Sequence, residues 1–334
     1  MSAVPLPAPA AARPRLAPWL LRLHRPALYV WTALVLLTAA ALLWLGGPLT
    51  DAAASAWDQY DACDWSAHCS YDQPAILRYK DVANYTTLAV TAVPFLVAAW
   101  AGAALFGREM ESGTAQLTWT QGVTPTRWLT TRLALPAALI TTGTSLLVLL
   151  HHLAWTAGEG RIDTAKPWYD TLTLHANGPT TVALALTGLA AGALAGLTLR
   201  RTLPALCVSL LAVACARGLA DLAMPHLWPA VTRVTDLRQD PAGTGLTVDE
   251  GLVTATGRHI ADPGCGSTLA PECRALYERL DATAFYTDYH PASHYWPLQL
   301  TTTLALLTLT ALLTTIGYVT LRRSTGGRRR GAAV

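Results

Sequence analysis

Charge is scarce in this chain. Only 13% of its 334 residues are Asp, Glu, Lys or Arg, about half the ~25% usual for a soluble domain. Long stretches hold none at all, so the chain cannot be dressed as an ordinary water-soluble globule. Lysine is scarcer still. Lys80 and Lys166 are the only two and neither follows a glycine, so no G-x-x-x-x-G-K-[ST] phosphate cradle exists. There is no H-E-x-x-H, no C-x-x-C and no G-x-S-x-G. Those absences remove zinc-peptidase, thiol-redox and serine-hydrolase signatures. His151 and His152 form the one adjacent histidine pair. Neighbours on a helix point about 100° apart, which suits a polar span end better than a shared metal.

What fills the chain is apolar: 52% of the residues are hydrophobic. The apolar runs predict an all-α membrane protein with six spans. They are Ala27–Leu45, Tyr85–Phe106, Leu133–Trp155, Thr180–Leu199, Leu203–Ala223 and Trp296–Leu321. Each is long enough to cross ~30 Å of hydrocarbon at 1.5 Å per residue. The first 26 residues keep arginines up to Arg25 and offer no small-residue cleavage site, so the first span is expected to be retained.

Arginine placement predicts the orientation. Segments 1–26, 107–132, the Arg200–Arg201 turn and the tail 322–334 hold fourteen arginines against two acids, Glu109 and Glu111. Positive segments stay inside, so both termini are expected in the cytoplasm, in a multi-pass plasma-membrane protein. The domains follow: a cytoplasmic N-terminus (1–26), spans one to five (27–223), an outer loop or lid (224–295), span six (296–321) and a basic tail (322–334). Leu16, Trp19, Leu20 and Leu23 follow i, i+3, i+4, i+7 spacing and predict an amphipathic helix on the inner surface. The outer loops would be Gly46–Asn84, Thr156–Pro179 and Met224–Tyr295, and Glu272–Phe285 within the last reads as a helix. Cys63 with Cys69, and Cys265 with Cys273, share outer loops and are disulfide candidates on an oxidising side. Cys207 and Cys215 lie in span five as small packing residues.

Three features could carry function. Gly188, Gly192 and Gly196 place small residues every four positions on span four, allowing close helix contact within one chain or across a dimer. Arg217 and Asp221, one turn apart in span five, can neutralise each other in the bilayer or line a path. The inner loop from Gly107 to Trp128 reads as a helix–turn–helix. Span two runs on through Arg108, Glu109 and Glu111, Gly113 stops it, Thr114–Thr120 forms a short piece, and Thr124-Pro125 opens the next helix. Glu109 and Glu111 either face a partner or pair with Arg108 or Arg132. Pro94 and Pro136 flank this loop as possible kinks.

The run REMESGTAQLTWTQGVTPTRW, residues 108–128, resembles the cytoplasmic loop of actinobacterial permease subunits of ABC type-2 exporters. Residues Tyr289–Pro297 are similar to that family's approach to its last span. Ala115-Gln116 stand where many relatives carry a basic residue. The resemblance implies a permease with no ATPase of its own. ATP and magnesium would be held by a separate ATP-binding subunit, and a second permease copy or a related permease would complete the assembly. It marks Arg108, Glu109, Glu111, Gly113, Thr114, Trp119, Gln121 and Arg127 as the ATPase-coupling loop, and the N-terminal helix as the connecting helix. The partners implied are that subunit, that second permease and the lipid bilayer, not nucleic acid. A secondary transporter or a multi-span sensor with an outer ligand loop stands as the alternative.

Overall fold

The computed structural model describes residues 16–64, 70–238, 245–265 and 270–331. Six helical stretches among them are long and apolar enough to cross a membrane: Arg25–Asp61, Gln73–Glu111, Pro125–Gly158, Thr180–Leu199, Thr202–His226 and Ala292–Thr325. All six expected spans are therefore present, and four of them overrun their expected ends by a turn or more. Helix α1 (Leu16–Leu23) precedes α2 (Arg25–Trp44). A wide turn at Leu45–Leu49, kinked at Gly47 and holding Pro48, passes directly into α3 (Thr50–Asp61). Asp72 caps α4 (Gln73–Trp100) by accepting from the Ala75 N–H. The expected 40-residue outer loop is thus mostly helix. Its middle, 65–69 with Cys69, lies outside the described residues, as do Arg13 and Arg15 of the N-terminus.

The core of the bundle is α9 (Thr180–Leu199), with 72% of its apolar window buried. The other spans range from 17% to 50%, as befits helices whose leucines face lipid. α9 is almost all Ala, Gly, Leu and Thr, and small side chains let neighbours close in on every side. Its glycines face α4 and the π-helical turn Ala101–Gly107 that continues it. A Cβ on Gly188 would sit 2.8 Å from the Pro94 carbonyl oxygen, and one on Gly192 2.7 Å from the Gly102 nitrogen. The stripe is used inside the chain. α10 (Thr202–Ala223) packs on both α9 and the π turn, and α12 (Tyr295–Gly331) runs along α9.

One expectation fails in the segment between spans five and six. The chain is not all-α there. Strands β1 (Val231–Asp236), β2 (Leu246–Thr254), β3 (His259–Ala261) and β4 (Ala282–His290) form an antiparallel sheet in the order β1-β4-β2-β3. The expected helix Glu272–Phe285 stops at Arg279, as α11 (Pro271–Arg279). Asp281 then turns the chain with φ 54°, and a run rich in Thr, Phe and Tyr favours extended pairing over helix. α11 covers the sheet through Cys273 and Tyr277 against Leu252 and Phe285. The Cys265–Cys273 disulfide, as expected, ties α11 to the loop before it.

Candidate functional site

The C-terminal end of span two and the N-terminal ends of spans three and five meet at a small helical hairpin. After the π turn, α5 (Arg108–Glu111) ends where Gly113 takes the left-handed conformation, φ 74°. α6 (Thr114–Thr120) follows, over the residues expected. Gly122 reverses the chain at φ 85°. The Thr124 hydroxyl then accepts from the Arg127 N–H at 3.3 Å and starts α7 (Pro125–Gly158). Two positive-φ glycines and one Thr-Pro cap therefore shape the hairpin.

A chain of contacts holds it to the bundle. Trp119 of α6 meets Trp128 of α7 edge-on at 5.6 Å, and Trp128 meets Phe106 at 5.9 Å. The guanidinium of Arg132 lies 4.8 Å from the Trp128 ring centre and 5.9 Å from that of Trp19 on α1. Arg132 pairs with Glu109 at 2.5 Å and donates to the Leu105 carbonyl at 3.0 Å. That carbonyl belongs to the π turn, where the helix's own ladder is displaced. Arg132 thereby joins α1, α7, the π turn and α5, and its side chain is only 2% exposed.

The roles of Glu109 and Glu111 are resolved by this geometry. Glu109 is buried on Arg132, so the pairing reading holds and its carboxylate is not offered to a partner. Glu111 is exposed, but one oxygen accepts from both the N–H and the hydroxyl of Thr202, at 2.9 and 2.5 Å. A carboxylate at the first turn of α10 satisfies orphan donors and opposes the helix dipole. What the hairpin leaves outward is Arg108, Thr114, Leu117, Thr120 and Gln121. Leu117 is 61% exposed.

At the opposite end of the bundle, Arg217 and Asp221 form the expected pair at 3.0 Å. Sequence reasoning missed its third member, His175 of α8 (Thr171–Ala176), which hydrogen-bonds Asp221. Burial pushes the His175 imidazole below its ordinary value, against the pull of Asp221. The loop bearing α8 is gripped from three spans. His151 reaches Asn177 at 2.5 Å and Thr87 at 2.8 Å. Tyr295 donates to the Asn177 carbonyl at 2.7 Å, and Gln299 to the Leu174 carbonyl at 2.6 Å. His151 and His152 do point to different partners, since His152 stacks on Tyr295. The available signal was Gln299, a lone amide inside an apolar run. Asp221→Ala is expected to cost about 1–3 kcal/mol by stranding Arg217 and His175. Thermal unfolding in detergent would show it, with Arg217→Met in the same chain recovering part of the loss.

A family model described as ABC-2 membrane transporter related matches residues 32–224, more than half of the chain. The chain belongs to the ABC-2 membrane transporter related family. The match runs from within the first span through the fifth, includes the whole hairpin, and stops before the sheet. No curated protein and no solved structure matches the chain. Family membership makes this ABC-2 chain the membrane-embedded permease of an ABC transporter, a subunit that is not itself the ATPase and that works with an ATP-binding subunit. The cradle-less lysines described above agree with that division.

Proposed function

We propose that this ABC-2 permease exports a hydrophobic or amphiphilic molecule, with both termini cytoplasmic and α6 as the helix that docks on the ATP-binding subunit. That subunit would bind ATP and magnesium, and a second permease copy or a related one would complete the transporter. The observation that carries the reading is α6 itself. It puts an exposed apolar side chain, Leu117, among the exposed polar Thr114, Thr120 and Gln121, and it is braced against α7 and the π turn by Trp119, Trp128 and Arg132. A push on Leu117 or Gln121 would reach Arg132 through the edge-on Trp119 and Trp128 rings, and through Arg132 both α1 and span two. The reading therefore moves contact with the ATPase from Glu109 and Glu111 to Leu117, Thr114, Gln121 and Arg108. Arg127 and Gly113 shape the same hairpin. The bias of arginine over lysine fits an actinobacterial source.

The test is recovery of a partner. The tagged chain, purified from its native membrane, is expected to bring down a protein carrying a Walker motif. Leu117→Asp is expected to reduce that recovery by roughly tenfold or more, as loss of a central apolar contact does, with unchanged thermal stability of the permease. Equal recovery from wild type and Leu117→Asp would overturn the docking role. No ATP-binding protein recovered from wild type would favour ion-coupled transport.

A further inference from the structure

Beside the Arg132 hub lies an apolar cavity of about 420 Å³ between the α1–α2 elbow, α4 and α7. Its size is within the about 300–1,000 Å³ of small-molecule sites. Leu20 and His24 close one end, Trp100 and Leu105 form a wall, and Pro136 and Ile140 form the wall opposite. Val30, which also lines it, is 70% exposed, so the cavity opens sideways on the surface that faces lipid. Two buried ring nitrogens on its lining residues, His24 Nε2 and Trp100 Nε1, have no hydrogen-bond partner in the protein. A buried polar group normally finds one. Burial, with Arg132 nearby, pushes the His24 imidazole down to about 4, so the ring is uncharged at neutral pH and compatible with an apolar occupant. Arg22 and Arg25 stand exposed on either side of His24. Among the described residues neither pairs with a carboxylate within 4.0 Å.

We propose that this cavity holds one acyl chain of an anionic phospholipid, its phosphate between Arg22 and Arg25. The apolar walls suit the chain. The indole N–H of Trp100 suits an ester carbonyl at the chain's root. The two arginines select a headgroup of net negative charge, as juxtamembrane basic residues do. Such a lipid would fasten α1 to span two at the point where Trp19 meets Arg132. It is a resident of the transporter, separate from whatever is carried, and the proposal requires no ATPase.

The full chain in mixed phosphatidylcholine–phosphatidylglycerol vesicles tests this, with a photoreactive group on an acyl chain of one lipid at a time. Labelled peptides are mapped by mass spectrometry. The phosphatidylglycerol probe is expected to label 96–105 and 135–140 roughly tenfold more than the phosphatidylcholine probe, the preference two arginines near the surface provide. Labelling at Leu219 and Leu222, exposed on α10, serves as the baseline and is expected to show no preference. The double change Arg22→Gln with Arg25→Gln, away from the bundle core, is expected to abolish the preference. Ile140→Trp is expected to abolish cavity labelling by filling the space, and its thermal stability is measured beside it. Equal labelling by the two probes overturns the proposal. So does a preference that survives the double arginine change, even where Ile140→Trp fails to fold.

Discussion

Glu109→Ala and Arg132→Ala are each expected to destabilise the permease by about 3–5 kcal/mol, the cost of removing one partner of a buried ion pair. The two residues are 8% and 2% exposed, so neither charge left alone can recover its water. The arginine change is expected to be the worse. It also strands the Leu105 carbonyl and empties the space over Trp128. Arg132→Lys is expected to remain well below wild type, because an ammonium lacks the planar fork that stacks on Trp128 while reaching Glu109 and Leu105 together. Glu109→Leu with Arg132→Met would remove both charges and restore much of the stability, since well-packed apolar replacements of buried pairs are often neutral or better. Thermal unfolding in detergent separates these outcomes. If the singles match wild type, the pair does not brace the hairpin and the relay from α6 falls with it.

The membrane frame was legible because lipid imposes one rule everywhere: backbone groups must be satisfied within each segment. Apolar length then marks a span, and all six were found that way. Local stops were legible too. Gly113, Thr124 and Pro125 act through their own φ preferences or hydrogen bonds, and α6 begins and ends where they put it. Partnerships between distant segments were not legible. Glu111 could pair with several basic groups by sequence, yet the closing of α4 onto α10 gives it to Thr202. His175 and Asp221 are 46 positions apart, and no periodicity links them. The outer sheet failed for another reason. Ala275, Leu276, Leu280 and Ala284 keep helical spacing across Asp281, but the β-branched and aromatic residues after it pair with β2 and β1. Tertiary pairing overrode a local pattern. The π turn at Ala101–Gly107 left no mark in composition. It is seen in the backbone, where Arg132 donates to its Leu105 carbonyl.

Gly192→Leu is expected to be the most damaging change in the α9 glycine stripe. Even a Cβ there would lie 2.6 Å from Ala101 Cβ and 2.7 Å from the Gly102 nitrogen. The second contact is backbone, and backbone inside a helix cannot rotate away. α9 and α4 would have to separate, at the point where α4 is already unwound to a π turn and where a Cβ on Gly102 would likewise lie 2.7 Å from the Ala205 carbonyl oxygen and 2.5 Å from Ser209 Oγ. Three helices meet there with only the small side chains of Ala101 and Ser209 at the contact, so strain at one point passes to the next. Overpacking usually costs about 1–3 kcal/mol, and this site belongs at or above the top of that range. Gly196→Ala is expected to follow it, since its Cβ would meet Phe106 and the Gly107 nitrogen at 2.5 and 2.9 Å. Gly218→Ala is the control. Nothing lies within 4 Å of its Cβ position, so it is expected to be neutral or to stabilise by up to about 1 kcal/mol through helix propensity. Folded yield and unfolding temperature of the three variants test the order. A Gly192→Leu chain as stable as wild type would show that α9 is not closed against the π turn. The stripe would then be free to meet a second copy, the use of small residues left open by the sequence.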